Sequence, residues 1–135
     1  MALYLADTSA WSRSTRVAER WQEMIDSGSL AVCPPVKLEL LYSAEGRREY
    51  RELAFDLQAF HLLPLDTRAA SAAAWAQARL AVRSQHRGPR PIDLLIAAIA
   101  EVNGATLLHY DRHFDAIARV TGQQMEWMAP RGSLD

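Results

Sequence analysis

Three acidic residues lie where an apolar segment meets the start of a predicted helix. Asp7 and Asp111 each follow an apolar run, and Asp93 opens the apolar run that continues to Ala100. Glu39, within another apolar stretch, is a fourth candidate. Carboxylates that are brought together repel one another unless a positive charge joins them. A hard divalent cation such as Mg²⁺ prefers carboxylate and water oxygens, so this pattern indicates a metal site.

Each acid also has an ordinary structural explanation. Asp7 and Asp111 can cap the helices that follow them, and Asp93 lies in a first helical turn, where an anion is favoured. Glu39 can lie on a solvated helix face, because charged groups are rarely buried unpaired. The helix after Asp93 is too apolar to face water, so this carboxylate must emerge at the end of a buried helix, near the strand ends.

Polar residues close to these acids are candidates for supporting roles. They are Thr8, Ser9, His113 and Asp115. A hydroxyl beside Asp7 can orient this carboxylate, contact a phosphate oxygen or complete a turn. Asp115, four residues after Asp111, shares its helix face and is expected to pair with Arg119, four residues further on. His113 can ligate a metal, shuttle a proton, be structural or face RNA.

Composition bounds the class of protein. The 135 residues suit one domain, half of them are hydrophobic, and the net charge of −1 gives no general attraction to nucleic acid or membranes. The cations are fourteen arginines and one lysine, Lys37, which reflects either genome composition or the use of guanidinium groups for phosphate contacts. Cys33 is the only cysteine, and neither a signal peptide nor an apolar run of about 20 residues stands out, so we expect a cytoplasmic protein.

Short apolar runs alternate with helical segments, which predicts an α/β fold: a central, mostly parallel sheet of four to five strands sandwiched by helices. The predicted strands are 3–6, 30–33, 61–65, 106–109 and 125–128. The predicted helices are 15–27, 36–45, 47–60, 67–84, 92–102 and 111–120. We expect one domain, 1–135, with a loose tail over 129–135. Ligands bind beyond the carboxyl ends of such strands, where Asp7 and Asp111 fall.

Four segments together resemble the signature blocks of PIN-domain nucleases, most closely the VapC-type toxins of bacterial toxin–antitoxin pairs. They are Leu5-Ala-Asp-Thr-Ser-Ala10, Lys37-Leu-Glu-Leu-Leu41, Pro91-Ile-Asp-Leu-Leu-Ile-Ala-Ala98 and His109-Tyr-Asp-Arg-His-Phe-Asp-Ala-Ile-Ala118. The resemblance extends over nearly the whole chain in order, spacing and length. It implies a PIN-like domain that hydrolyses RNA phosphodiesters with Mg²⁺ or Mn²⁺.

The resemblance assigns Asp7, Glu39, Asp93 and Asp111 as the metal-site carboxylates. Asp7 and Asp93 are expected to be the primary Mg²⁺ ligands, with the other two acids binding through water or holding a second ion. Many relatives carry a further acid two residues after the position of Asp111. His113 stands there in this chain, so the choice between one metal and two stays open. Water is the expected nucleophile, since no Ser-His-Asp or Cys-His arrangement stands out.

The resemblance also implies partners. A cognate antitoxin is expected to lay its C-terminal segment across the acidic cleft. The chain is expected to form a homodimer or a toxin–antitoxin hetero-oligomer, with dimer contacts around residues 50–60 and 69–83. Arginines near the acids can contact RNA or be ordinary surface charge: Arg13, Arg16, Arg87, Arg90 and Arg112.

A receiver domain, a silent binding module and a housekeeping nuclease are the alternatives to a toxin. A phosphoacceptor receiver domain needs a paired acid near the N-terminus and a lysine after a late strand, and Lys37 is the only lysine. A catalytically silent binding module of the same fold would be indicated by loss of an acid, and all four are present. A housekeeping RNA-processing PIN nuclease is the remaining alternative, while the small single domain favours a toxin.

Overall fold

The computed structural model describes residues 2–135, which form a five-stranded sheet with every pairing parallel. The strands are β1 (Tyr4–Ala6), β2 (Leu30–Val32), β3 (His61–Leu62), β4 (Thr106–His109) and β5 (Met125–Trp127). They lie in the order β3-β2-β1-β4-β5, so β1 is central. Leu5 of β1 lies beside Ala31 on one side and Leu107 on the other. The predicted α/β fold with a parallel sheet is confirmed.

Helices connect successive strands, as parallel pairing requires. Within residues 2–135 they are α1 (Thr8–Trp11), α2 (Ala18–Asp26), α3 (Pro34–Tyr42), α4 (Arg47–Leu57), α5 (Thr67–Val82), α6 (Pro91–Val102) and α7 (His113–Thr121). In this described part of the chain, no helix combines the length and apolar character needed to cross a membrane.

The predicted buried helix is α6, which packs closely against α5. Pro91 at its first position has no amide hydrogen to leave unsatisfied there, and its fixed φ suits a helix start. From Asp93 to Ala100 nearly every residue of α6 is buried. The facing side of α5 is lined by Ala69, Ala73 and Ala76, which are small enough to let the two helices approach. The core therefore fixes the first turn of α6, where Asp93 lies.

The predicted helix over 15–27 is wrong in its first half. The chain forms α1 directly after β1, then a 3₁₀ turn (Ser14–Val17), and only then α2. This break places the Trp11 ring edge-on against Trp21 and Phe60, at centroid distances of 4.9 and 5.2 Å. Aromatic packing between distant segments thus overrides the local helical pattern.

Two other predicted elements are shorter than expected. The third strand ends at Leu62 rather than residue 65, since Pro64 has no amide hydrogen to continue the ladder. Helix α4 ends at Leu57, and the next residues turn tightly, with Phe60 N–H donating to the Leu57 carbonyl at 3.2 Å. That turn brings Phe60 to Trp11.

The terminal segment 129–135, expected to be loose, is held at its end. The Tyr110 hydroxyl accepts a hydrogen bond from Leu134 N–H (2.9 Å) and donates one to Asp135 Oδ1 (3.2 Å). Arg16 donates to the Leu134 carbonyl. The segment therefore lies beside Tyr110, next to the carboxyl end of β4.

Candidate active site

The candidate site lies at the carboxyl ends of β1 and β4. The chain leaves β1 towards β2 and β3, and later returns to place β4 on the other side of β1. This reversal of strand order opens a crevice at the carboxyl edge, the usual ligand position in such sheets. Asp7 directly follows β1, and Asp111 follows β4 after one residue.

Asp7 is a buried carboxylate, only 3% exposed. Its Oδ2 accepts hydrogen bonds from Ser9 N–H (3.0 Å) and Ser9 Oγ (2.7 Å), so it caps α1. Its Oδ1 is buried without a hydrogen-bond partner among the described residues. Burial raises the pKa of Asp7, the bonds from Ser9 oppose this shift, and the charge of Asp93 raises the pKa further. A buried, unpartnered carboxylate oxygen fits a hard cation.

The two hydroxyl candidates orient different acids. Ser9 Oγ donates to Asp7 and also accepts from Tyr110 N–H at 2.9 Å, so it ties the turn after β1 to the turn after β4. Thr8 Oγ1 donates to Glu39 Oε1 at 2.7 Å. Thr8 therefore fixes the acid contributed by α3, while Ser9 fixes Asp7.

Arg90 forms hydrogen bonds to both Asp93 and Glu39. Its Nη2 donates to Asp93 Oδ1 at 3.0 Å and its Nε to Asp93 Oδ2 at 3.4 Å, while its Nη1 reaches Glu39 Oε2 at 3.3 Å. The backbone N–H of Arg90 also donates to Asp93 Oδ2, at 3.0 Å. The hydrogen bond to Asp93 is the main cause that raises the pKa of Arg90, with desolvation opposing it. From the sequence, Arg90 was expected near the acids, either as an RNA contact or as ordinary surface charge, and its bonds to the acids were not predicted.

Asp111 is held at the start of α7. Its Oδ1 accepts from His113 N–H at 3.0 Å and lies 3.3 Å from His113 Nδ1. Its own N–H donates to Nδ1 of the buried His109 at 3.2 Å. Burial lowers the pKa of His109, and the charges of Asp115 and Asp111 oppose that shift. His109 is therefore a neutral structural group beneath the site.

The prediction that Asp115 pairs with Arg119 is wrong. Asp115 Oδ1 instead accepts a hydrogen bond from the Trp127 indole Nε1 at 3.1 Å. The pairing connects α7 to β5, which are adjacent in the fold. The i,i+4 spacing on a helix could not reveal it, because Trp127 becomes a neighbour only when β5 joins the sheet.

The four acids are not arranged as a complete set of metal ligands in this structure. Across residues 2–135, no group of three or more His, Cys, Asp or Glu side chains is arranged to hold a metal ion as it stands. Asp93 lies close enough to Asp7 for its charge to raise the pKa of Asp7. Glu39 and Asp93 share Arg90, and Asp111 bonds to His113. The oxygen donors still suit Mg²⁺ or Mn²⁺, and Asp7 Oδ1 is the one that a cation would satisfy directly.

An arginine-lined cavity adjoins the acids. A cavity of about 400 Å³ contains Ser9 and Asp111 on its wall, together with Arg13, Arg112 and Arg131. The Arg13 guanidinium lies 4.5 Å from the Tyr110 ring centroid. A second cavity, of about 420 Å³, shares two of these arginines and adds a further one, Arg119.

The arginines predicted near the acids are thus divided by the structure. Arg13 and Arg112 line the cavity, Arg90 binds the acids, Arg16 binds the terminal segment, and Arg87 is exposed in the loop before α6. Arg131 was missed, since it lies in a segment without periodicity, and only the fold brings it to the cavity.

The fold and the acidic edge define a class of protein. A PIN domain model matches residues 4–120 of the chain. The chain is 38% identical to Ribonuclease VapC18 of Mycobacterium tuberculosis over 98% of this chain and 99% of that protein. It is 42% identical to Ribonuclease VapC51 of the same organism, over the full length of both. The chain therefore belongs to the PIN domain family and to the VapC group within it.

A solved structure supports the same fold. The structure of DNA-bound VapBC from Salmonella typhimurium contains a chain that superposes with a TM-score of 0.78 at 22% identity. The match includes 96% of this chain and 100% of that one. At this level of identity the likeness concerns architecture, and it agrees with the five-stranded parallel sheet.

Proposed function

We propose that this protein is a divalent-metal-dependent endoribonuclease that hydrolyses RNA phosphodiester bonds, and that it is the toxic component of a type II toxin–antitoxin pair. The observation that carries the metal site is Asp7 Oδ1, a buried carboxylate oxygen at the strand-order reversal that has no hydrogen-bond partner within residues 2–135 and lies within electrostatic reach of Asp93. The ribonuclease names of its relatives, at 38% and 42% identity, support RNA as substrate.

Asp7 and Asp93 would hold Mg²⁺ or Mn²⁺, with Glu39 and Asp111 contributing through water or at a second ion. When bound, the metal supplies activation of water and stabilisation of the negative charge on the attacked phosphate. Ser9 keeps Asp7 oriented, with Oδ2 occupied and Oδ1 free. Thr8 performs the corresponding task for Glu39. His113 and Asp115 then have supporting positions around α7 rather than ligand positions.

RNA would reach the acids along the arginine-lined cavity. Guanidinium groups form paired hydrogen bonds to phosphate oxygens, and an aromatic ring can stack on an unpaired base. Arg13 and Arg112 are the proposed backbone contacts, since they line the same cavity as Asp111. Arg16 and Arg87 are weaker candidates, because one binds the terminal segment and the other lies in the loop before α6.

Cleavage of purified RNA tests the function. Total RNA is incubated with the protein with and without Mg²⁺, and new 5′ ends are mapped. We expect cleavage that requires the metal and is lost in Asp7→Asn. The matched control is Asp66→Asn, because Asp66 caps α5 through Ala69 N–H much as Asp7 caps α1. Absence of cleavage by the wild type under all metal conditions would favour the silent binding module.

The toxin role implies an antitoxin and a larger assembly in the cytoplasm. The adjacent gene product should co-purify with the chain and suppress its cleavage of RNA. Self-association is also proposed, through α4 and α5, where Phe55 and Trp75 are exposed apolar side chains. Expression without the partner should arrest growth, and expression of Asp7→Asn at equal abundance should not. Growth unaffected by an RNA-cleaving wild type would favour the housekeeping alternative.

A further inference from the structure

Arg90 is bound to two of the four acids at once. Its guanidinium contacts both oxygens of Asp93, at 3.0 and 3.4 Å, and one oxygen of Glu39 at 3.3 Å. A cation shared by the two acids would bind to these same two carboxylates. A guanidinium and a divalent ion repel each other, so each disfavours binding of the other to the same pair of carboxylates.

The acid and the arginine differ in how freely they can move. The Asp93 side chain is 1% exposed and is fixed by the buried helix α6. The Arg90 side chain is 59% exposed, so water can replace its bonds when it leaves. Its backbone is constrained, since it lies between Pro89, which is buried, and Pro91, and its N–H donates to Asp93. Rotation of the arginine side chain is therefore the motion that uncovers the two acids.

We propose that Arg90 sets the metal affinity of this site by competing with the divalent cation for Asp93 and Glu39. Arg90 holds the two carboxylates in position, and metal binding to both requires the guanidinium to leave. The inference rests on the proposed function, because it assumes that these acids bind a metal. It changes the role of Arg90 from an RNA contact to a positioning residue that keeps metal binding weaker than four acids alone would make it.

Metal binding without RNA tests this role. The dissociation constant for Mn²⁺ is measured by titration calorimetry on the purified full chain, for the wild type, Arg90→Ala and Arg90→Lys. We expect Arg90→Ala to bind Mn²⁺ roughly fivefold more tightly, the upper end of what one exposed ion pair contributes. Arg90→Lys should fall between, since it keeps the charge but loses the planar fork. The control is Arg83→Ala, an equal loss of charge at an exposed position after α5, with no change expected.

Melting temperature separates competition from a purely structural role. Without metal, Arg90→Ala should melt below the wild type, since Asp93 and Glu39 lose their counter-charge. With saturating Mn²⁺ that difference should shrink, because the ion replaces the guanidinium. A structural role alone would lower the melting temperature equally in both conditions and would overturn the proposal. If Arg90→Ala does not fold, the affinity of Arg90→Lys decides, and a value equal to the wild type overturns it.

The outcomes also distinguish this inference from the function on which it rests. If the wild type binds Mn²⁺ and Arg90→Ala binds it equally or more weakly, the competition fails while the metal site stands. If neither protein binds Mn²⁺, the metal-dependent function fails and the competition fails with it. Tight binding by Arg90→Ala beside weak binding by the wild type supports both.

Discussion

Asp7 and Asp93 are buried almost equally, yet their charges are balanced in opposite ways. Asp93 contacts a guanidinium and a backbone N–H through both of its oxygens. Asp7 has hydrogen bonds on one oxygen only, from Ser9, and its other oxygen is buried without a partner in the described chain. The negative charge of Asp93 is thus balanced by Arg90 of the same chain, whereas the charge of Asp7 would be balanced by a bound cation.

The largest expected effect is the loss of RNA cleavage on substitution of Asp7. Asp7→Asn keeps the cap on α1 but removes the anionic oxygen, so we expect RNA cleavage to fall by more than about 100-fold, since even groups that merely support metal ligands cost about 10–100-fold. Stability without metal should not fall, because burial disfavours the charge that is removed. Cleavage rate and melting temperature are measured together. Cleavage at the wild-type rate by a folded Asp7→Asn variant would assign Asp7 a capping role alone, since Asn can still cap α1.

The next effect concerns the response to metal. Mg²⁺ at 100 times its dissociation constant should stabilise the wild type by about 2.7 kcal/mol, which appears as a rise in melting temperature. Asp93→Asn should lose most of this rise and, unlike Asp7→Asn, should also melt lower without metal, because Arg90 loses its anion. Asp56→Asn, on the exposed side of α4, is the control. An unchanged metal response in Asp93→Asn would remove Asp93 from the site.

A smaller effect is expected from the hydroxyl that supports Asp7. Ser9→Ala removes the bond to Asp7 Oδ2 and the link to Tyr110 N–H. We expect cleavage to fall about tenfold, at the low end of the range for groups that orient metal ligands. The comparison is with Ser71→Ala, an exposed position on α5. Equal rates in the two variants would mean that the Ser9 N–H bond is enough to orient Asp7.

The smallest effect is a dependence of stability on pH through His109. Burial holds its pKa below 6.5 in the folded state, so between pH 6.5 and that lower value the unfolded chain binds a proton that the folded chain does not. The free energy of unfolding should therefore decrease as pH falls through this window, by at most about 1.4 kcal/mol per pH unit, the limit for one proton. Denaturant unfolding at several pH values measures the slope. His109→Asn should flatten it, and an identical slope in that variant would exclude His109 as its source.

Much of the fold could be predicted from local patterns. Runs such as Leu3–Ala6 and Thr106–His109 are too apolar for a surface, and the helical segments between them leave only parallel pairing, which needs such crossovers. The continuous apolar surface of α6 required a central position. These features depend on the spacing and polarity of residues that are close in sequence, so they can be read directly from it.

The candidate acids could also be found, but not the bonds between them. Three of the acids, Asp7, Asp93 and Asp111, lie where a strand ends or a helix begins, and these boundaries can be predicted from the sequence. The links between Arg90 and Glu39, 51 positions apart, and between Ser9 Oγ and Tyr110 N–H, 101 positions apart, have no local pattern. They arise only when β1 and β4 become neighbours and α3 lies beside the start of α6.

The sequence by itself determined the α/β class, the parallel sheet and the four acids, because these depend on side-chain polarity and on short-range backbone preferences. Only the tertiary structure decided that Arg90 binds Asp93, that Trp127 rather than Arg119 contacts Asp115, and that one buried oxygen of Asp7 has no hydrogen-bond partner in the described part of the chain. The physical reason is that hydrogen bonds and ion pairs act over about 3 Å, so their partners are set by how distant segments pack.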